Sequence, residues 1–167
     1  MSTHFAITHE LAATPEEFWR VFHHEPYNVE LYDRIGVKER TVLDRSEDAE
    51  TIKWSVRIVP RRDLPALIKK IIGGDLGYTE ISTYYKGRDR IDVRVEPTLM
   101  KERTRIQGVY TVKPIGERRI ARTFEGDIAF DMPLVARKVE ATVLEDIKRS
   151  YDVAARVTAE WLARGGV

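Results

Sequence analysis

The stretch TIKWSVRIVP, residues 51–60, places Ile52, Trp54, Val56 and Ile58 on one side and Lys53, Ser55 and Arg57 on the other. Alternation with a period of two marks a strand with one buried and one solvated face. Residues 3–11 follow it, with Phe5, Ile7 and Leu11 in phase, and so do residues 37–45. Four further strands are expected in YTEISTYYK, RIDVRVEP, TRIQGVYTVKP and RRIARTFEGDIAF. The connectors SEDAE, GRD, PTLMKE and IGE are short enough for hairpins, so consecutive strands should pair antiparallel.

The pattern changes to a helical period in four places. TPEEFWRVFHH starts with Thr14 as a cap, Pro15 in the first turn and Glu17 completing a capping box, followed by the apolar stripe Phe18, Val21 and Phe22. Pro26 is expected to end this helix, and YNVELYDRIG reads as a second short helix stopped by Gly36. In residues 132–164, Val139, Val143, Ile147, Tyr151, Ala154, Thr158 and Trp161 recur every three or four positions, which predicts one long C-terminal helix. Pro133, just after Asp131, is expected in its first turn.

The third helical stretch, RRDLPALIKKIIGGD, interrupts the strands. Leu64, Leu67, Ile68 and Ile71 share one face, while Lys69 and Lys70 point elsewhere. Two readings stay open for it. It is a lid over one mouth of a pocket, with Gly73 and Gly74 as a hinge and lysines that meet phosphate headgroups, or it is a plug packed permanently against the terminal helix.

Strand, two short helices, six strands with one helical interruption and a long helix make an α+β chain. A curved antiparallel sheet of about seven strands must cover one face. The terminal helix is the only element long enough to do so, and space left between them becomes a pocket for a small apolar ligand. PEEFWRVF after the first strand, RRDLPALIKKIIG after the third and DMPLVARKVE opening the last helix resemble the helix-grip fold of the START-like (SRPBCC) superfamily. That superfamily includes polyketide cyclases and birch-pollen-allergen-like proteins. The resemblance runs along essentially the whole chain, expected to be one domain over residues 1–167. It is nearest an uncharacterised bacterial START-like family, and more distantly resembles the PRELI-type phospholipid carriers. It implies binding or transfer of a lipid or polyketide-like molecule. The alternatives are a cyclase- or hydrolase-like enzyme on a hydrophobic substrate, or a ligand-free regulatory domain.

Charge and composition narrow the classes. The 28 basic and 27 acidic side chains nearly cancel, so no global field recruits nucleic acid. Interleaved acids make the arginines of the middle strands a solvated face rather than a nucleic-acid groove. The absence of cysteine removes disulfides and thiolate sites and fits a cytoplasmic location. No apolar run reaches the ~18 residues of a membrane span, and the opening residues carry no signal-peptide pattern. Membrane contact is therefore expected only transiently, through the Leu64–Ile72 helix. No cofactor is expected. No metal is expected either, because adjacent His23 and His24 diverge by about 100° on a helix, and no nucleophile motif or phosphate-cradling loop is present.

The candidate ligand-binding residues are His9, Glu39, Trp54, Leu67, Ile68, Ile71, Tyr85, Tyr110, Arg122, Phe124, Val143 and Ile147. His9, Glu39 and Arg122 fall on faces expected to point inward. If the first strand lies between the second and the last, as the helix-grip arrangement implies, the three approach one another and hold a polar ligand head or act in acid–base chemistry. A structural ion pair near the sheet rim is the alternative. No catalytic residue is assigned.

Overall fold

The computed structural model describes residues 2–61, 66, 69–70 and 76–167. Seven strands form one antiparallel sheet: β1 (Thr3–Leu11), β2 (Val37–Glu47), β3 (Thr51–Pro60), β4 (Tyr78–Tyr85), β5 (Arg90–Pro97), β6 (Thr104–Gly116) and β7 (Arg119–Phe130). Helices α1 (Pro15–Phe22) and α2 (Glu25–Ile35) follow β1, and α3 (Ala136–Ala163) ends the chain. The expected helix-grip α+β architecture is present.

Each helix boundary has a local cause. Thr14 caps α1 and the Glu17 side chain returns the bond to the Thr14 amide, closing the expected capping box. Pro26 occupies the first turn of α2, where its missing N–H costs nothing, so it begins that helix rather than ending the one before. Gly36 terminates α2 at φ 95°, a left-handed conformation that glycine adopts without a Cβ penalty. Pro133 also differs from expectation. It precedes α3, whose first residue is Ala136, because Leu134 takes φ 74° and breaks the helical path.

The strand order is β1-β7-β6-β5-β4-β3-β2, so β1 and β2 form the two edges. This corrects the expectation that β1 lies between β2 and the last strand. The connection from β1 to β2 runs through both short helices, which pack on α3 instead of closing a hairpin.

The main core lies between the sheet and the helices, where Phe5, Ile91, Ile106, Ile120, Phe124 and Ile128 meet Phe18, Trp19 and Val139. Burying a side chain such as Phe18 stabilises the fold by roughly 1.5–3 kcal/mol. A second cluster joins Val21, Tyr27 and Leu31 to Val153 and Val157 of α3. There the Tyr27 hydroxyl and Thr158 Oγ1 lie 2.7 Å apart, satisfying two buried polar groups together. At the opposite end of α3, buried Glu140 accepts from the Thr3 hydroxyl at 2.6 Å and from the Phe130 amide at 3.2 Å. One carboxylate thereby fastens α3 to β1 and β7.

Candidate functional site

The sheet and α3 do not meet everywhere. Between them, and closed on one side by α1 and α2, lies a cavity of about 400 Å³. Its floor comes from the inward faces of β3, β4 and β5: Ile52, Trp54 and Val56, then Tyr78, Glu80 and Ser82, then Ile91, Val93 and Val95. The register explains the set, since Trp54 stands opposite Ser82, Val56 opposite Glu80, and Glu80 opposite Val95. Val143, Ile147, Tyr151 and Ala154 form the helix wall, one residue per turn of α3.

Arg122 is the most buried charged group of this wall, with 1% of its surface exposed. It donates to Nδ1 of His9 at 3.1 Å and to the Tyr151 carbonyl at 2.9 Å. Arginine carries only donors, so Nδ1 must accept, and the ring proton sits on Nε2. That nitrogen donates to Asp152 at 2.8 Å. The guanidinium also lies over the rings of Tyr110 and Tyr151, at 5.7 and 5.3 Å from their centroids. Tyr151 in turn stacks on Phe124, with centroids 4.8 Å apart and planes 5° from parallel. Burial pushes the Tyr110 phenol far above its ordinary range and Tyr151 well up too, with Arg122 opposing the shift in both, so neither ionises near neutrality.

A second polar group sits on the sheet floor. Glu80 faces the cavity with no hydrogen bond or ion pair from any described residue, and burial raises its pKa against the opposing pull of Arg40. Arg40 lies over the Tyr32 ring at 5.0 Å and pairs with Glu25 at 2.6 Å. At the rim, burial of His23 among Trp19, Trp54 and Tyr84 lowers its pKa to about 4, assisted by the charge of Arg45 and opposed by Glu47.

Of the residues expected from the sequence, Trp54, Tyr110, Arg122, Phe124, Val143 and Ile147 line this cavity. His9 stands behind Arg122, outside the lining, and its carboxylate partner is Asp152 rather than Glu39. Glu39 is exposed on the opposite edge of the sheet, so the expected cluster of His9, Glu39 and Arg122 does not assemble. A β-bulge between Val37 and Glu39 is the reason: it resets the alternation and sets Arg40 opposite Ile58 and Val42 opposite Val56. Tyr85, out of phase with the inward set on β4, does not line the cavity, and its ring meets Arg88 at 5.8 Å. Leu64, Leu67, Ile68 and Ile71 lie outside the described residues, so the lid and plug readings rest on the sequence; Ala66, Lys69 and Lys70 of that stretch are helical and exposed. Sequence reasoning missed Glu80, Arg40 and Tyr32. For Glu80 the signal was available, because it alternates in phase with Tyr78, Ser82 and Tyr84.

An antiparallel sheet gripping one long helix around a cavity is the helix-grip fold. The chain belongs to a family described as a protein of unknown function (DUF2505), whose pattern matches residues 6–162. No curated protein matches the sequence. Among solved structures, the chain is similar to the protein TTHA0849 from Thermus thermophilus, at TM-score 0.69 and 14% identity over 99% of this chain and 100% of that one. It is similar to the Zhui aromatase/cyclase from Streptomyces sp. R1128, at TM-score 0.68 and 15% identity over 100% of both chains. A START superfamily protein from Mycobacterium smegmatis matches at TM-score 0.58 and 14% identity, over 94% of this chain and 97% of that one. At these identities the likeness is one of fold. Among the described residues, no helix is long and apolar enough to cross a membrane.

Proposed function

We propose that this protein binds or carries a small hydrophobic molecule, lipid or polyketide-like, inside the cavity between the sheet and α3. The observation that carries this reading is the unfilled space itself. Protein interiors ordinarily close-pack, and about 400 Å³ within an apolar wall falls in the range that encloses small-molecule ligands. The likeness in fold to the Zhui aromatase/cyclase and to a START superfamily protein supports the same reading. Binding is preferred to catalysis because the histidine–carboxylate pair that an enzyme on this face requires is turned away from the cavity. In this reading the domain spans residues 1–167, works in the cytoplasm, and meets membranes transiently through the Leu64–Ile72 segment.

Native mass spectrometry of the purified protein, paired with titration of the neutral dye Nile red, tests the proposal. A co-purified apolar molecule, or saturable dye uptake with one dye per chain, is the expected result. Ile147→Trp, which projects a larger ring into the cavity, should abolish uptake while the circular dichroism spectrum stays unchanged. A wild-type protein that neither carries a ligand nor takes up the dye overturns the reading.

A further inference from the structure

The cavity carries an electrostatic asymmetry that selects among apolar ligands. Its charged lining residues are Glu25, Arg40, Arg45, Glu80, Arg122 and Asp146. Four of these have partners of opposite sign: Arg40 with Glu25, Arg45 with Glu47, and Asp146 with Arg149. Glu80 and Arg122 have none in direct contact among the described residues, and they answer burial differently. A carboxyl in an apolar wall sheds its charge by keeping its proton, and the raised pKa of Glu80 points that way. A guanidinium has no such outlet, since arginine stays protonated in proteins.

Arg122 is therefore a fixed cation on the cavity wall, and its hydrogen bonding is incomplete. One NH2 nitrogen is taken up by His9 and the Tyr151 carbonyl. Buried Nε has no partner at all among the described residues. Both described acceptors are neutral, and the nearest carboxylate of that chain, Asp152, is screened behind the imidazole. The faces of Tyr110 and Tyr151 soften the charge, and the neutral Tyr110 hydroxyl is a further side-chain partner of the guanidinium. A buried cation on the cavity wall with no carboxylate in contact fits a compact oxyanion better than a hydroxyl, and an ammonium worst of all.

We infer that the ligand is an amphipathic acid: an apolar tail in the cavity with a single carboxylate head seated on the guanidinium of Arg122. This rests on the binding reading above and assigns the class of molecule within it. The tail lies along Trp54, Val93, Val143 and Ile147, and the head meets Arg122 between Tyr110 and Tyr151. Glu80 stays protonated in the complex, because a second negative charge in the same cavity disfavours its ionisation further.

Calorimetric titration of the delipidated full chain with dodecanoate, dodecanol and dodecylamine at neutral pH tests the assignment. The tails are matched, so differences report the head. The acid is expected to bind at least about tenfold more tightly than the alcohol, as befits a charge-assisted hydrogen bond, with the amine weakest. Arg122→Met should bring the acid down to the affinity of the alcohol and leave the alcohol nearly unchanged. If that variant fails to fold, the wild-type series alone decides. Equal affinity for acid and alcohol, or preference for the amine, overturns the assignment while leaving the apolar cavity standing. Binding of none of the three overturns both.

Discussion

Arg122 on β7 and His9 on β1 stand directly opposite each other in the sheet, and the guanidinium donates to the imidazole Nδ1 at 3.1 Å. The pairing converts a surface strand position into support for an interior cation. It also ranks the neighbours by what their loss exposes. Truncating His9 removes an acceptor from a buried donor, which costs about 1–3 kcal/mol. Removing Asp152, whose side chain is 61% exposed, takes away an interaction that water replaces, at a cost below about 1 kcal/mol. His9→Ala is therefore expected to lower stability in urea unfolding clearly more than Asp152→Ala. Equal losses would mean that Arg122 is satisfied without the histidine.

A second prediction concerns the middle of β6 and β7, where Gly108 and Gly126 face each other across the ladder. A Cβ on Gly126 would collide with the Gln107 carbonyl oxygen, lie 2.8 Å from the Gly108 Cα and 3.0 Å from the Phe5 ring. The first two are backbone atoms, which move only if the ladder moves. Gly126→Ala should cost about 1–3 kcal/mol through overpacking, even though it adds one methyl group. Gly116→Ala, whose nearest neighbours are 3.8 and 4.0 Å away on the Arg119 side chain, is the control and should be close to neutral in the same thermal melt.

These details mark where sequence reasoning reaches its limit. Period-two alternation located all seven strands, and the three-and-four spacing of Val139, Val143, Ile147 and Tyr151 identified the helix face that meets the sheet. Alternation presumes an unbroken ladder, however, and β2 has two register shifts, between Val37 and Glu39 and between Val42 and Asp44. Nothing in VKERTVLD marks them, so the inward face was assigned to Glu39 instead of Arg40. The rule also presumes that an inward face is apolar. On β4 it carries Glu80 and Ser82, because that face borders a cavity rather than a packed core. Polar residues pointing inward thus hid the very wall that a ligand would touch. The partnership of His9 with Asp152 was out of reach for a different reason: it depends on where α3 crosses β1, which no local pattern encodes.

His23 leads to a pH prediction. Its folded-state pKa of about 4 lies below the 6.5 of an ordinary histidine, chiefly because burial penalises the imidazolium. Between those values the unfolded chain binds the proton more readily, so the stabilising contribution is complete above pH 6.5 and is lost as the pH falls toward 4. His23→Gln should flatten the stability profile across that window while changing little at pH 8. Urea midpoints measured at pH 8, 6 and 5 check it. A variant profile parallel to that of the wild type would show that the ring titrates as if exposed.

Glu80 should act in the opposite sense. Burial raises its folded-state pKa, so the folded protein holds this proton more tightly than the unfolded chain. No penalty applies below the ordinary carboxylate range, where both states are protonated. The penalty grows as the pH rises from that range through the raised folded value, and it persists above it. Glu80→Gln keeps the shape of the neutral carboxyl and cannot ionise, so it should match the wild type in acid and exceed it in stability at neutral pH. The comparison is best made on ligand-free protein by urea unfolding at pH 4 and pH 8, because a bound anion would itself bias the proton. A variant that loses stability at pH 8 would mean that the ionised carboxylate is held by groups on the protein, and that the floor of the cavity is a paired site rather than a lone acid.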